Sequence, residues 1–222
     1  PFATAVPQTT LTPEERTSLE RIADNYDAMP DDDSGNPAVK RAYTELQRES
    51  ISQFDALPVK VEVFEGEGEP YANSAAMRDD VMNNNHLYIL KTDESDFSSN
   101  HPLIKQSGRV DMNGTFLLYN DVLRAVHDYY AHTMSPLSLG KFGEKAAYTN
   151  HARMMASPWA RWALATETLG NNAWFNFHRL GIDPAKRADS LPIEERPFTP
   201  QKAALLPIED TMIGDPLIDE EM

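Results

Sequence analysis

The sequence predicts a mainly α fold with a small β element (α+β): a helical core with an extended N-terminal arm and a proline-rich C-terminal tail. Three observations carry that expectation. Apolar residues recur at helical spacing over most of the chain, while two short stretches, near 59–66 and 86–90, are strand-like. Six of the 16 prolines fall after residue 183, where their fixed φ and missing N–H preclude regular structure.

Taken in order, residues 1–11 read as an arm, rich in proline and threonine and without periodicity. Thr12-Pro13-Glu14-Glu15 then starts a helix, with a hydroxyl cap, proline at the first helical position and acids in the first turn. Leu19, Ile22, Ala23 and Tyr26 form its apolar stripe, and "MPDDDSGNP" ends it. Asn36-Pro37 opens a second helix, with Val39, Tyr43, Leu46, Ile51 and Phe54 at helical spacing, and Leu57-Pro58 closes it. A short helix around 73–83 separates the two strands. The stretch 92–114 is polar and poorly patterned, which reads as a long functional loop.

The middle third is helical. Asn120 is expected to cap a helix running to about His132, with Val122, Ala125, Val126 and Tyr129 inward. A further helix is expected over roughly 141–156, and another from Ser157-Pro158 through "WARWALATETLG", stopped by Gly170. One domain, 12–182, thus carries the fold. The tail, 183–222, either wraps that body or binds a partner, and its acids (Glu209, Asp210, Asp215, Asp219, Glu220, Glu221) read as a solvated terminus.

Composition excludes several classes. A net charge of −15 without a basic stripe argues against nucleic acid, and no apolar run reaches the ~20 residues of a membrane helix. The start shows no basic segment followed by an apolar one, so no secretory signal is expected. The chain has no cysteine, which fits a reducing cytosol and removes thiolate nucleophiles and iron–sulfur ligation. Any metal must be held by imidazole and carboxylate.

The candidate site begins in "AVHDYYAH", residues 125–132. At about 100° per residue, His127 and His132 point roughly 140° apart on a regular helix, so the spacing works only if the helix end unwinds. Pro136 beyond it and the weak helix formers Thr133 to Ser135 allow that, letting His132 swing toward His127. Glu167, alone among Trp162, Ala163, Leu164, Ala165 and Leu169, is expensive to bury unless paired or metal-bound. His127, His132 and Glu167 are therefore the expected metal ligands, with Fe(II) the expected ion and Mn or Zn permitted by the same ligand types. Glu144 and His151 share one helix face and Asp128 adjoins His127; these three are expected around the metal, orienting ligands or acting on substrate. His86 and His101 are given no role, and His178 reads as structural.

The His-Asp-x-x-x-His segment followed by a distant Glu is similar to the iron site of the pterin-dependent aromatic amino acid hydroxylases, with Ala131 where those enzymes carry Gly. More of the chain resembles an uncharacterised domain common in bacteriophages and mobile elements, often embedded in very large polyvalent phage proteins. That resemblance lies in "AYTELQRE", "PYANSAAMRDDVMNNNHLYI", "NDVLRAVHDYYAH", "FGEKAAYTNHARMMASP" and "ALATETLGNNAWFNF", and departs at Ala131, Leu169 and Asn171. It implies a phage origin, a helical core, and the cytoplasm of a bacterial host or the virion as the location.

From these observations the expected function is a mononuclear non-haem metal protein, an oxygenase or hydroxylase whose partners are a small-molecule substrate and O2. Two alternatives remain open. One is a virion protein, capsid-associated or internal, whose arms contact other virion proteins and whose metal is structural or a relic. The other is a metal-dependent phosphohydrolase, with Glu144 or Asp128 as general base to a metal-bound hydroxide.

Overall fold

Thr12 closes a capping box at the start of α1 (Pro13–Ala28): its hydroxyl accepts from Glu15 N–H at 3.1 Å and the Glu15 carboxylate accepts from Thr12 N–H at 2.9 Å. At the start of α2 (Pro37–Asp55) the Asn36 side-chain oxygen accepts from Ala38 N–H at 2.9 Å, a simple side-chain cap. The structure, a computed structural model, describes residues 10–134, 143–183 and 185–211. Most of the expected N-terminal arm, Ser135 and Pro136, the start of the helix expected from 141, Pro184 and the acids at 215–221 lie outside the described residues.

The fold is mainly α with a small β component. Strand β1 (Lys60–Phe64) and strand β2 (His86–Leu90) pair in parallel, Lys60 opposite His86 and Phe64 opposite Leu90, with α3 (Ser74–Asn84) as the crossover that parallel pairing requires. His86 ties this unit together, its ring nitrogens reaching Asp80 at 2.7 Å and Glu62 at 3.0 Å. The polar stretch 92–114 is more ordered than its sequence suggests. It holds β3 (Gln106–Val110), which pairs antiparallel with β4 (Phe116–Leu118) through a bulge at Gly108, where φ is +74°. Backbone pairing here replaces the side-chain periodicity that a sequence reading needs.

Helix α4 (Tyr119–His127) holds two cores together. Leu123 and Val126 pack with α1, α2 and the later helices, whereas Val122 and Ala125 pack with the β1–α3–β2 unit. The helix starts one residue before the expected Asn120 cap because Asp121 supplies the acceptor: its carboxylate takes Leu118 N–H at 2.8 Å and Thr92 N–H at 3.0 Å. Asn120 instead donates to the Thr92 hydroxyl.

Two helices contain π-helical turns. Beyond His127 the chain continues as a π-helix over Asp128–Thr133, with Met134 N–H bonding Tyr129 O at 3.0 Å, five residues back. Helix α5 (Glu144–Ala152) then precedes α6 (Pro158–Ala165), a second π segment (Thr166–Gly170) and α7 (Asn171–Phe177), the last three forming one continuous rod. Gly170 therefore does not stop the helix. A Cβ there would lie 2.8 Å from Leu206 Cδ1 and 2.9 Å from Tyr26 Cδ2, so glycine is needed for close packing. Both neighbours are fully buried. Gly170→Ala is expected to lower stability by about 1–2 kcal/mol in urea unfolding, because overpacking outweighs alanine's better helix propensity.

The described part of the proline-rich tail, 185–211, lies along the body as a strap. Asp33 N–H bonds Ala203 O at 2.8 Å, the Tyr26 hydroxyl bonds Pro200 O at 2.8 Å, and Leu206 N–H bonds the Thr166 hydroxyl at 3.0 Å. It buries Ala204 and Leu206 in the larger core and ends in α8 (Ile208–Thr211).

Candidate metal centre

The π segment answers the five-residue spacing. Hydrogen bonds from i to i+5 stack residues five apart, so His132 returns to the face of His127 without leaving the helix. The expected unwinding is thus a widened turn. The rings lie edge to face with centroids 5.0 Å apart, and both residues are buried. Opposite them, the first residue of α5 brings in Glu144. Its Oε1 is 3.4 Å from His132 Nε2 and its Oε2 is 3.6 Å from His127 Nε2.

Among the described residues, His127, His132 and Glu144 form a group that can hold a metal ion, each offering a ligand atom within 4.8 Å of the others. Charge-assisted N–H···O bonds close to about 2.7–2.9 Å, shorter than either nitrogen–oxygen distance here. Two ligands each about 2.1 Å from a shared ion at tetrahedral angles stand roughly 3.4 Å apart. The spacing suits a cation between these atoms better than a proton on either ring. Burial alone would push the Glu144 carboxyl up; the facing His127 and His132 imidazoles outweigh it and hold the group well below the ordinary range.

Glu167 sits in the second π segment and lines the same cavity as His127, Asp128 and Glu144, a space of about 430 Å³. It lies outside the three-residue group. Its Oε1 accepts the Tyr43 hydroxyl proton and faces His101 Nε2 at 3.5 Å. Leu103 N–H points at His101 Nδ1 at 3.2 Å, so a neutral His101 carries its proton on Nε2 and offers no lone pair to a metal there. Burial and the Glu167 charge push the Tyr43 phenol well above its ordinary value, keeping it a proton donor to that carboxylate. The lone charge in the apolar helix is accommodated by pairing, the other outcome that its burial allowed.

Asp128 also lines the cavity, and burial pushes its carboxyl up against the opposing pull of His132, His127 and Arg124. His151, on α5, is fully buried with Nδ1 3.2 Å from His127 Nδ1 and Nε2 2.8 Å from Gln53 Oε1. Its ring is held neutral, first by burial and then by His127 and His132. Of the residues singled out from sequence, the structure brings His127, His132 and Glu144 together, places His151 behind them, and sets Asp128 and Glu167 on the cavity wall. The sequence reading gives Gln53, Tyr43 and His101 no part in the site. Tyr43 belongs to an apolar stripe and Gln53 is one polar residue within a helix, with no local signal for either. His178 stacks on Trp174 at 4.0 Å and bonds its carbonyl, as a structural residue would.

Fold and site together define a mainly α-helical protein with a candidate metal centre of two imidazoles and one carboxylate beside a cavity. No protein-family model matches the chain, and comparison with curated proteins and with solved structures gives no match either. Among the described residues, no helix is long and apolar enough to cross a membrane.

Proposed function

We propose that the protein is a mononuclear non-haem iron enzyme in which His127, His132 and Glu144 hold Fe(II), and that it hydroxylates a small molecule bound in the adjoining cavity. One observation carries this reading: two neutral-type ligands and one anionic ligand converge at ion-sized separations, and two of them, His127 and Glu144, line a cavity large enough for a substrate. Two imidazoles and one carboxylate leave coordination positions open for O2 and substrate. The balanced reaction takes R–H, O2, two electrons from an external reductant and two protons to R–OH and water. Arg124, Asn171 and Thr168 on the wall would orient the substrate, and Asp128 would exchange protons with it.

The test is the metal content of protein made in iron-supplemented medium, for the native chain and for His132→Ala. About one iron per native chain and little in the variant is the expected result. Equal and negligible metal in both removes the reading. A hydrolytic reading has one observation in its favour: Asp128 adjoins His127, and burial tunes its carboxyl upward, as suits a general acid–base group. Zinc retained in place of iron, with phosphoester cleavage, would favour it.

A further inference from the structure

We propose that a second cavity, between α2 and the 99–105 segment, binds a small hydroxylated organic phosphate, with Lys40 and Lys105 on its phosphate group. This cavity has a volume of about 400 Å³ and shares no lining residue with the metal cavity. Its size suits a small metabolite. The site stands apart from the metal centre and does not depend on it.

Charge points to the phosphate. The chain carries 35 acids against 20 bases, yet this cavity is lined by two lysines and by no acid. Among the described residues, neither Lys40 nor Lys105 forms an ion pair. The acid closest to it in the chain, Asp32, is engaged elsewhere: its carboxylate takes Ser34 N–H at 2.9 Å and the Asn100 amide at 3.0 Å. Two like charges on one cavity repel each other, and an anion bound between them removes that cost. A phosphate monoester is close to doubly charged at neutral pH, which matches the two ammoniums. Lysine serves phosphate as a point charge and needs no fixed fork geometry.

The amides point to hydroxyls on the same molecule. Lys40, Tyr43 and Gln47 fall at i, i+3 and i+7, so one face of α2 forms a wall. Gln47 Nε2 donates to Pro102 O at 2.8 Å, tying that wall to the one carrying Lys105. Gln47 and Asn100 each turn the amide nitrogen onto an oxygen that only accepts, a carbonyl and a carboxylate. Each is left with an amide oxygen that takes no bond from the described residues. Such oxygens repel a phosphate and accept from hydroxyls, so the phosphate belongs on the lysines and a polyhydroxylated frame beside the amides. Tyr43 and Pro102 add apolar surface for the C–H face of that frame.

Calorimetric titration of the native chain with ribose 5-phosphate tests the site. One molecule per chain is expected, held at least about 10-fold more tightly than inorganic phosphate and more weakly as salt is added. AMP titrated beside it separates a free sugar phosphate from a nucleotide, the tighter of the two naming the source. The double variant Lys40→Gln/Lys105→Gln is expected to bind about 10–100-fold more weakly, as two charge-assisted contacts are lost. Lys60→Gln/Lys186→Gln, which removes the same charge from exposed positions elsewhere, should bind like the native chain. Lys40 and Lys105 are themselves exposed, so their double variant should unfold in urea at the native midpoint. Three results each overturn the proposal: no binding at millimolar ribose 5-phosphate, affinity equal to that of inorganic phosphate, or an unchanged affinity in Lys40→Gln/Lys105→Gln.

Discussion

Replacing Glu144 with glutamine is expected to abolish tight metal binding while leaving the chain folded. The carboxylate faces both imidazoles at 3.4 and 3.6 Å and is the sole anion of the three-residue group. Losing it removes a ligand and the negative charge that balances a divalent ion. Zinc affinity measured against a chelating competitor should fall by well over the ~100-fold at the upper end for a supporting residue. The isosteric amide keeps the packing, so unfolding of the metal-free variant at neutral pH should remain cooperative. The pH dependence follows from the same group. Its folded carboxyl is held below its ordinary value of 4.5, so its stabilisation is present above that value and is lost as pH falls below it. Native protein should therefore weaken in that acid range more than Glu144→Gln does. Metal affinity should fall with falling pH as well, because each ligand atom must be free of its proton to bind the ion.

Asp121→Ala is expected to be among the most destabilising single changes in the body. Its buried carboxylate accepts from Thr92 N–H at 3.0 Å, the Thr92 hydroxyl at 2.5 Å and Leu118 N–H at 2.8 Å, joining the start of α4 to the segment after β2. Alanine leaves two buried backbone donors unsatisfied, at about 1–3 kcal/mol each, and removes the charge-assisted bonds. A loss of roughly 3–5 kcal/mol in urea unfolding is expected, against total stabilities of about 5–15 kcal/mol. Asp121→Asn, which keeps one oxygen for Thr92, should lie between. Because α4 carries His127, the same variant should also bind zinc more weakly. A midpoint within error of native would contradict this account of the helix start.

Most of the helices were legible because their signals are local. The Thr12 and Asn36 caps and the Leu19–Tyr26 stripe each lie within a single turn or two. The metal centre was legible in part. His127 and His132 stand out as residues, but their meeting depends on a π turn, and i to i+5 bonding leaves no mark in a residue pattern tuned to 3.6. The acid expected to meet them is Glu167, and the one that does is Glu144. The conspicuous one, stranded among apolar residues, is paired with a tyrosine from α2, 124 positions away in sequence. The inconspicuous one opens a helix after a stretch whose sequence carries no periodicity. Gly170 was misread for the same reason: its need is set by Leu206 and Tyr26, residues from opposite ends of the chain.

Each widened turn amounts to an ordinary helix holding one surplus residue. Deleting a single position between the two imidazoles, Ala131 for instance, would leave histidines four apart on an unbroken rod, still on one face. The local register shift would be absorbed within six residues, and the remainder of the chain would not have to move.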